Sequence, residues 1–171
     1  GPGLGGHCIP LDPYYLTWKA REYGFHTSMI EASMMINDKM PEYCVDRAAK
    51  VLNRVKKALN GSKVLVLGVA YKADIDDYRE SPAIDVIEIL QREGANVDFF
   101  DPYIPKFRAH GKEYVGIADI SPEVISSYDI VFVAAAHTNV DYDMIEQNAQ
   151  AIFDSKNAMK DVKNREKIEV L

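Results

Sequence analysis

The sequence predicts an α/β protein: a parallel sheet flanked by helices, preceded by a long helical segment. Three observations carry this. From Ser62 onward, short β-branched and leucine runs alternate with amphipathic stretches, as in "KVLVLGVAY", "SPAIDVIEILQREG" and "ANVDFFDP", and such alternation is what parallel βαβ units produce. "DIVFVAAAH" reads as a buried strand of that sheet. Upstream, apolar positions recur every three or four residues, which is helical spacing. Together they describe a Rossmann-like sheet over residues 61–171 behind a helical segment over residues 1–60.

The elements follow in order. Residues 1–26 are a glycine-rich turn and then "DPYYLTWKAREYG", a short helix for which Asp12 is the candidate N-cap, Pro13 lies in the first turn and Gly24 is the stop. Residues 27–60 read as one long helix. Cys44, Ala48, Val51, Leu52, Val55 and Leu59 draw one stripe, and Met29, Ile30, Met34, Met35, Ile36 and Met40 form a thicker apolar patch. Pro41 predicts a kink, or a restart near Asn37–Asp38, and Asn60-Gly61 closes the helix. Strand, capped helix and strand come next, then a looser segment over 103–120. "SPEVISSY" is a helix, "DIVFVAAAH" a strand, "DYDMIEQNA" a helix and "AIFDS" a last short strand, with "KDVKNREKIEVL" a charged, frayed tail.

Composition excludes several functions. The chain has 171 residues, 47% hydrophobic and 27% charged, with a formal net charge of −6. That balance speaks against a broad nucleic-acid surface. No apolar run approaches the ~20 residues of a membrane span, and no secretory or transit signal is legible. Cys8 and Cys44 make no disulfide framework and point to the cytoplasm. Neither they nor the four scattered histidines have metal-ligand spacing, so no metal site is expected.

Two stretches carry chemistry. "GVAYKADIDDYRESPA" lies where the first strand ends and a helix begins, the place where such sheets bind ligands. It lacks G-x-G-x-x-G, but brings Lys72 and Arg79 beside aspartates, with Ser81 and Pro82 at a helix N-terminus that favours anions. The alternative is a solvated loop with surface ion pairs. The other stretch, "GPGLGGHCIPLDPYYL", sets a cysteine among glycines, which permit close backbone approach to a ligand. Cys8 is therefore a better nucleophile candidate than Cys44, which falls on the helix stripe, and Asp12 is a candidate base or orienting charge.

"GPGLGGHCIPLDPYYL", "LGVAYKADIDDYRESPA" and "FDPYIP", in this order and spacing, resemble the UDP-glucose/GDP-mannose 6-dehydrogenase family over nearly the whole chain. "GGHCIPLDPYYLTWKARE" is similar to the branch acting on UDP-N-acetylhexosamines. The resemblance implies an NAD-dependent enzyme of polysaccharide biosynthesis that oxidises a sugar C6 alcohol to the uronate in two hydride transfers. Cys8 then forms the thiohemiacetal and thioester, and Asp12 assists the water. Gly1, Gly3, Leu4 and Gly5 match the loop around the sugar nucleotide. Tyr71, Lys72 and Lys156 match substrate contacts, although the family often has an arginine near Lys156. Ile9, Pro10, Leu11 and Arg79 match cofactor contacts. Helix 28–59 matches a dimerisation helix, so a homodimer is expected.

The same resemblance implies an NAD-binding domain, with the family's lysine and asparagine, ahead of this C-terminal part, so the isolated chain is expected to be inactive. UDP-glucose oxidation and a non-catalytic nucleotide-binding or assembly module remain alternatives. A thiol redox protein is disfavoured, because no resolving cysteine sits near Cys8.

Overall fold

Helices account for the first third of the chain in the computed structural model, which describes all 171 residues. Helix α1 (Asp12–Glu22) has Pro13 in its first turn, where a missing N–H costs nothing. Asp12 is itself the first helical residue and its carboxylate caps no amide, which corrects its reading as the N-cap. The Cys8 carbonyl instead accepts the Leu11 and Asp12 amides at 3.0 and 2.9 Å. Gly24 ends α1 in the left-handed conformation, φ +69°, and the Gly24 and Phe25 amides bond back to the Arg21 and Ala20 carbonyls.

The helix expected over 28–59 is two, α2 (Ser28–Asp38) and α3 (Met40–Arg54), joined at Lys39. Pro41 is the cause: it has no N–H for the Asn37 carbonyl, and its ring crowds the preceding turn. Helix α3 also ends well before Asn60-Gly61, because Lys56 takes φ 61° and the Lys56 and Lys57 amides bond back to Asn53 and Leu52. Val55, assigned to the stripe by spacing, is consequently exposed, whereas Cys44, Ala48, Val51 and Leu52 are buried.

Strand β1 (Lys63–Leu67), helix α4 (Pro82–Arg92) and strand β2 (Asn96–Phe100) form the first βαβ unit. Ser81 caps α4 by accepting from the Ala83 amide at 3.4 Å. The segment 103–120 is not loose. It holds a hairpin of β3 (Lys106–Ala109) and β4 (Lys112–Val115), turned by His110 and Gly111 at φ 47° and 77°. Two left-handed residues match the twist of an antiparallel pair. Phe107 anchors the hairpin in the core, stacked on Tyr114 at 4.7 Å.

Helix α5 (Pro122–Ser126), strand β5 (Ile130–Val133), helix α6 (Tyr142–Asn148) and strand β6 (Ile152–Asp154) complete the expected series. The tail, read as frayed, ends in a strand, β7 (Ile168–Val170), parallel to β6. Glu169 explains it, since its carboxylate pairs with Arg47 and, at 2.7 Å, with Arg54 of α3.

The sheet order is β2-β1-β5-β6-β7, parallel throughout. Strand alternation sorts two cores. Val64, Val66, Ile130 and Phe132 meet α3 and α4, while Leu65, Leu67, Val131 and Val133 meet α5 and α6. The chain leaves β1 for β2 on one side and returns as β5 on the other, so the strand order reverses between β1 and β5. The crevice beyond the C-terminal ends of those strands is where this topology places ligands.

Candidate functional site

The floor of that crevice is one carboxylate. Asp101 follows β2 and its side chain is fully buried. Its Oδ2 accepts the Val69 and Ala70 amides at 2.7 and 3.1 Å, and its Oδ1 accepts the Tyr103 and Ile104 amides at 2.9 and 3.1 Å. Burial works to raise its pKa. Hydrogen bonds from His137 and from the Tyr103 and Val69 amides outweigh that and hold the carboxyl below the usual carboxylate value. The chain can enter this arrangement because Gly68 sits at φ +82°, where a Cβ would lie 2.5 Å from that of Ala135.

His137, just beyond β5, is 1% exposed and places Nε2 3.0 Å from Asp101 Oδ2. Its Nδ1 accepts the Asp74 amide at 3.0 Å, so the ring proton lies on Nε2 and points at Asp101. Asp74 stands at φ 62° and returns the link, accepting from the Thr138 amide and hydroxyl at 2.8 and 3.1 Å. The β1–α4 loop closes on itself between the Tyr71 amide and the Asp77 carbonyl at 3.1 Å. Arg79 is exposed and paired with Asp77 at 2.7 Å, which puts its pKa above the usual arginine value.

The glycine loop lies against this framework. A Cβ on Gly5 would come within 2.5 Å of the Glu80 carbonyl and 2.7 Å of Tyr71 Cβ, one on Gly3 within 3.2 Å of Pro82, and one on Gly1 within 2.7 Å of Lys156 Nζ. The Gly6 amide donates to the Arg79 carbonyl at 3.2 Å, and the Leu4 amide to Asn37 Oδ1 at 2.9 Å. The loop separates two clefts. One of about 280 Å³ is walled by Leu4, Ile9, Pro10, Tyr14, Met34 and Asn37. The other, about 460 Å³, lies among His7, Leu11, Arg79, Ser81, Arg108 and His110.

The fold thus brings Gly1 onto Lys156, Gly3 onto Pro82 and Gly5 onto Tyr71, residues remote in sequence. Cys8 is exposed beside the clefts, with Ile9 and Leu11 also turned to solvent and Asp12 at the start of α1. Lys72 is exposed and makes no ion pair. Lys156 is half-buried, and its loss of water lowers its pKa. Cys44, by contrast, has no exposed surface, and burial pushes its thiol up to about 11. Sequence reasoning passed over Asn37, Asp74 and His137. Of these His137 carried a signal, as a polar residue closing a buried strand at its ligand-facing end.

Two family models match the chain: "UDP-glucose/GDP-mannose dehydrogenase family, UDP binding domain" over residues 65–161, and the central domain of the same family over residues 1–39. The chain is 40% identical over 139 residues to UDP-N-acetyl-D-glucosamine 6-dehydrogenase of Salmonella typhi, covering 80% of this chain and 32% of that protein. It is 33% identical over 163 residues to the Pseudomonas aeruginosa enzyme of the same name, covering 95% and 38%. It therefore spans about a third of the length of these curated relatives. The solved UDP-D-ManNAc dehydrogenase from Pyrococcus horikoshii superposes with a TM-score of 0.81 at 27% identity, over 99% of this chain and 39% of that one. The matched UDP-binding model alone, over residues 65–161, covers more than half of the 171-residue chain, and the chain belongs to the UDP-glucose/GDP-mannose dehydrogenase family.

Proposed function

We propose that this chain supplies the UDP-sugar-binding domain and the cysteine loop of an NAD-dependent dehydrogenase that oxidises the C6 alcohol of a UDP-N-acetylhexosamine to the uronate. One observation supports this above the others: the glycines around Cys8 pack directly on Tyr71, Glu80 and Lys156, in the loops that follow β1 and β6. Residues 1–60 carry the reacting loop and the helices, and residues 61–171 carry the nucleotide. The relatives named for N-acetylated sugars support the substrate class.

Each residue has a part. Lys72, free of any carboxylate partner, and Lys156, partly shielded from water, meet the diphosphate and the sugar. Gly1, Gly3 and Gly5, with Leu4, let the backbone close over the substrate beside Tyr71. NAD fits only along one edge of this chain. Ile9 and Leu11 offer exposed apolar surface beside Pro10, and Arg79, paired with Asp77 through Nε and Nη2, keeps Nη1 outside that pair, whereas the turn after β1 is filled at Gly68 by Ala135. NAD, when bound, takes up the hydride at each oxidation.

The Cys8 thiolate adds to the C6 aldehyde and forms the thiohemiacetal, which becomes a thioester when the second hydride leaves. Water oriented by Asp12 adds to the thioester carbon, the C–S bond breaks, and the acid departs with Cys8 restored as thiol. The exposed apolar side chains of α1 and α2, Trp18, Met29 and Met35 among them, form the contact of a homodimer. The two unpaired thiols suit a reducing compartment, the cytoplasm.

Assaying the full-length enzyme with UDP-GlcNAc, UDP-ManNAc and UDP-glucose tests the reading. NADH and uronate are expected with an N-acetylated sugar. Activity on UDP-glucose alone overturns the substrate class, and turnover by the 171-residue chain by itself overturns the division of labour. Light scattering should give a dimer at micromolar concentration.

A further inference from the structure

We infer that His137 is a positioning residue for UDP-sugar binding: its Nδ1 holds the Asp74 amide and so sets the loop carrying Tyr71 and Lys72 over the crevice between β1 and β5. The role rests on the binding site proposed above.

His137 and Asp101 together tie three ligand-facing loops to one another, and His137 alone of the two reaches the bend at Asp74. Nε2 donates to Asp101, whose two oxygens gather amides from the starts of the β1–α4 and β2–β3 connections. Nδ1 accepts from Asp74, the left-handed residue at the bend of the substrate loop. A non-glycine residue at φ 62° is uncommon, aspartate tolerates it better than most, and surrounding bonds fix it there. Here three bonds do so: the amide to His137, and the carboxylate to the Thr138 amide and hydroxyl. His137 is fixed in turn, its carbonyl accepting from the Tyr142 hydroxyl at 3.0 Å and its ring lying against Tyr103 at 5.2 Å.

The two nitrogens have separable tasks. The bond to Asp101 satisfies a buried carboxylate and is a matter of stability. The bond to Asp74 fixes the bend between Lys72 and the Tyr71–Asp77 closure, and is a matter of where the binding side chains stand. Side-chain amides of different length can reproduce one or the other. In His137→Asn the amide falls at the place of Nδ1, and in His137→Gln at the place of Nε2.

UDP titration of the full-length protein, alongside thermal melting, distinguishes the tasks. His137→Gln is expected to melt nearer to wild type than His137→Asn but to bind UDP about ten-fold more weakly. His137→Asn is expected to melt lower and keep affinity within about three-fold of wild type. Affinity that follows melting temperature across the two variants, or that neither variant changes, overturns the positioning role while leaving the binding site in place. A wild-type protein that takes up no UDP overturns the binding site itself, and the role with it.

Discussion

Helices α1, α2 and α4 are each 11 residues long, yet they are held on opposite terms. Helix α4 has a serine cap and buries six side chains, Ile84, Val86, Ile87 and Leu90 among them, against the sheet. Helix α1 buries only Thr17, α2 buries none, and neither has a side-chain cap. What holds that pair is largely polar: Tyr14 to Asp38 at 2.8 Å, Arg21 to Glu31 at 2.7 Å, and Asn37 to the glycine loop. Trp18 remains 64% and Met29 83% exposed. Contiguous apolar surface of this kind marks a place where another surface goes. The α/β unit, with α3 packed on it, buries its own apolar faces, whereas α1 and α2, beside the loop that carries Cys8, leave theirs exposed.

The two cysteines divide along the same line and give the largest expected effect. Cys8→Ala in the full-length enzyme should abolish uronate formation, a loss far beyond the ~10²-fold of a misplaced contact. Cys44→Ala should cost about 1–2 kcal/mol of stability and leave turnover near wild type. Near-normal uronate production by Cys8→Ala would remove the catalytic assignment.

Core truncation should separate the regions next. Phe107→Ala removes a buried ring that stacks on Tyr114 and should cost about 3–4 kcal/mol in urea unfolding. Trp18→Ala should change unfolding by less than about 0.5 kcal/mol while weakening self-association in light scattering. Equal destabilisation by the two would erase the contrast.

Acid should unfold the α/β unit through Asp101. Its folded pKa is depressed, so the stability it contributes is present above the unfolded value near 3.8 and is lost as pH falls through the folded one. Urea midpoints should drop below about pH 4, and Asp101→Asn should flatten that limb at a cost of about 2 kcal/mol near neutrality. Unchanged slopes would exclude Asp101 as the group responsible.

The smallest effects come from one substitution made at two glycines. Gly5→Ala drives a Cβ to 2.5 Å from the Glu80 carbonyl and should reduce uronate formation about ten-fold with melting little changed. Gly24→Ala meets nothing within 4 Å, suffers only from its φ of +69°, and should cost about 1 kcal/mol without touching turnover. Turnover lost at Gly24 as well would mean that the end of α1 is part of the site.

Local chemistry decided whatever depends on near neighbours, and that much was legible. Outside the hairpin at 106–115, the order of strands and helices from Ser62 to Ser155, the cap at Ser81, the stop at Gly24 and the break caused by Pro41 all follow from periodicity and backbone preference. Cys44 as core follows from its place on the α3 stripe. Tertiary contact decided the rest. The tail became β7 because Glu169 found two arginines of α3 more than a hundred residues away, and no property of "KIEVL" foretells them. The hairpin at 106–115 was hidden because a His-Gly turn is a weaker signal than Asn-Gly, and because Phe107 belongs to a core assembled from elsewhere. His137 and Asp101 are 36 residues apart, and Gly1 and Lys156 stand at opposite ends of the chain. Side chains announce their chemistry in the sequence, but which of them share a crevice is fixed by the sheet's strand order and the packing of its loops.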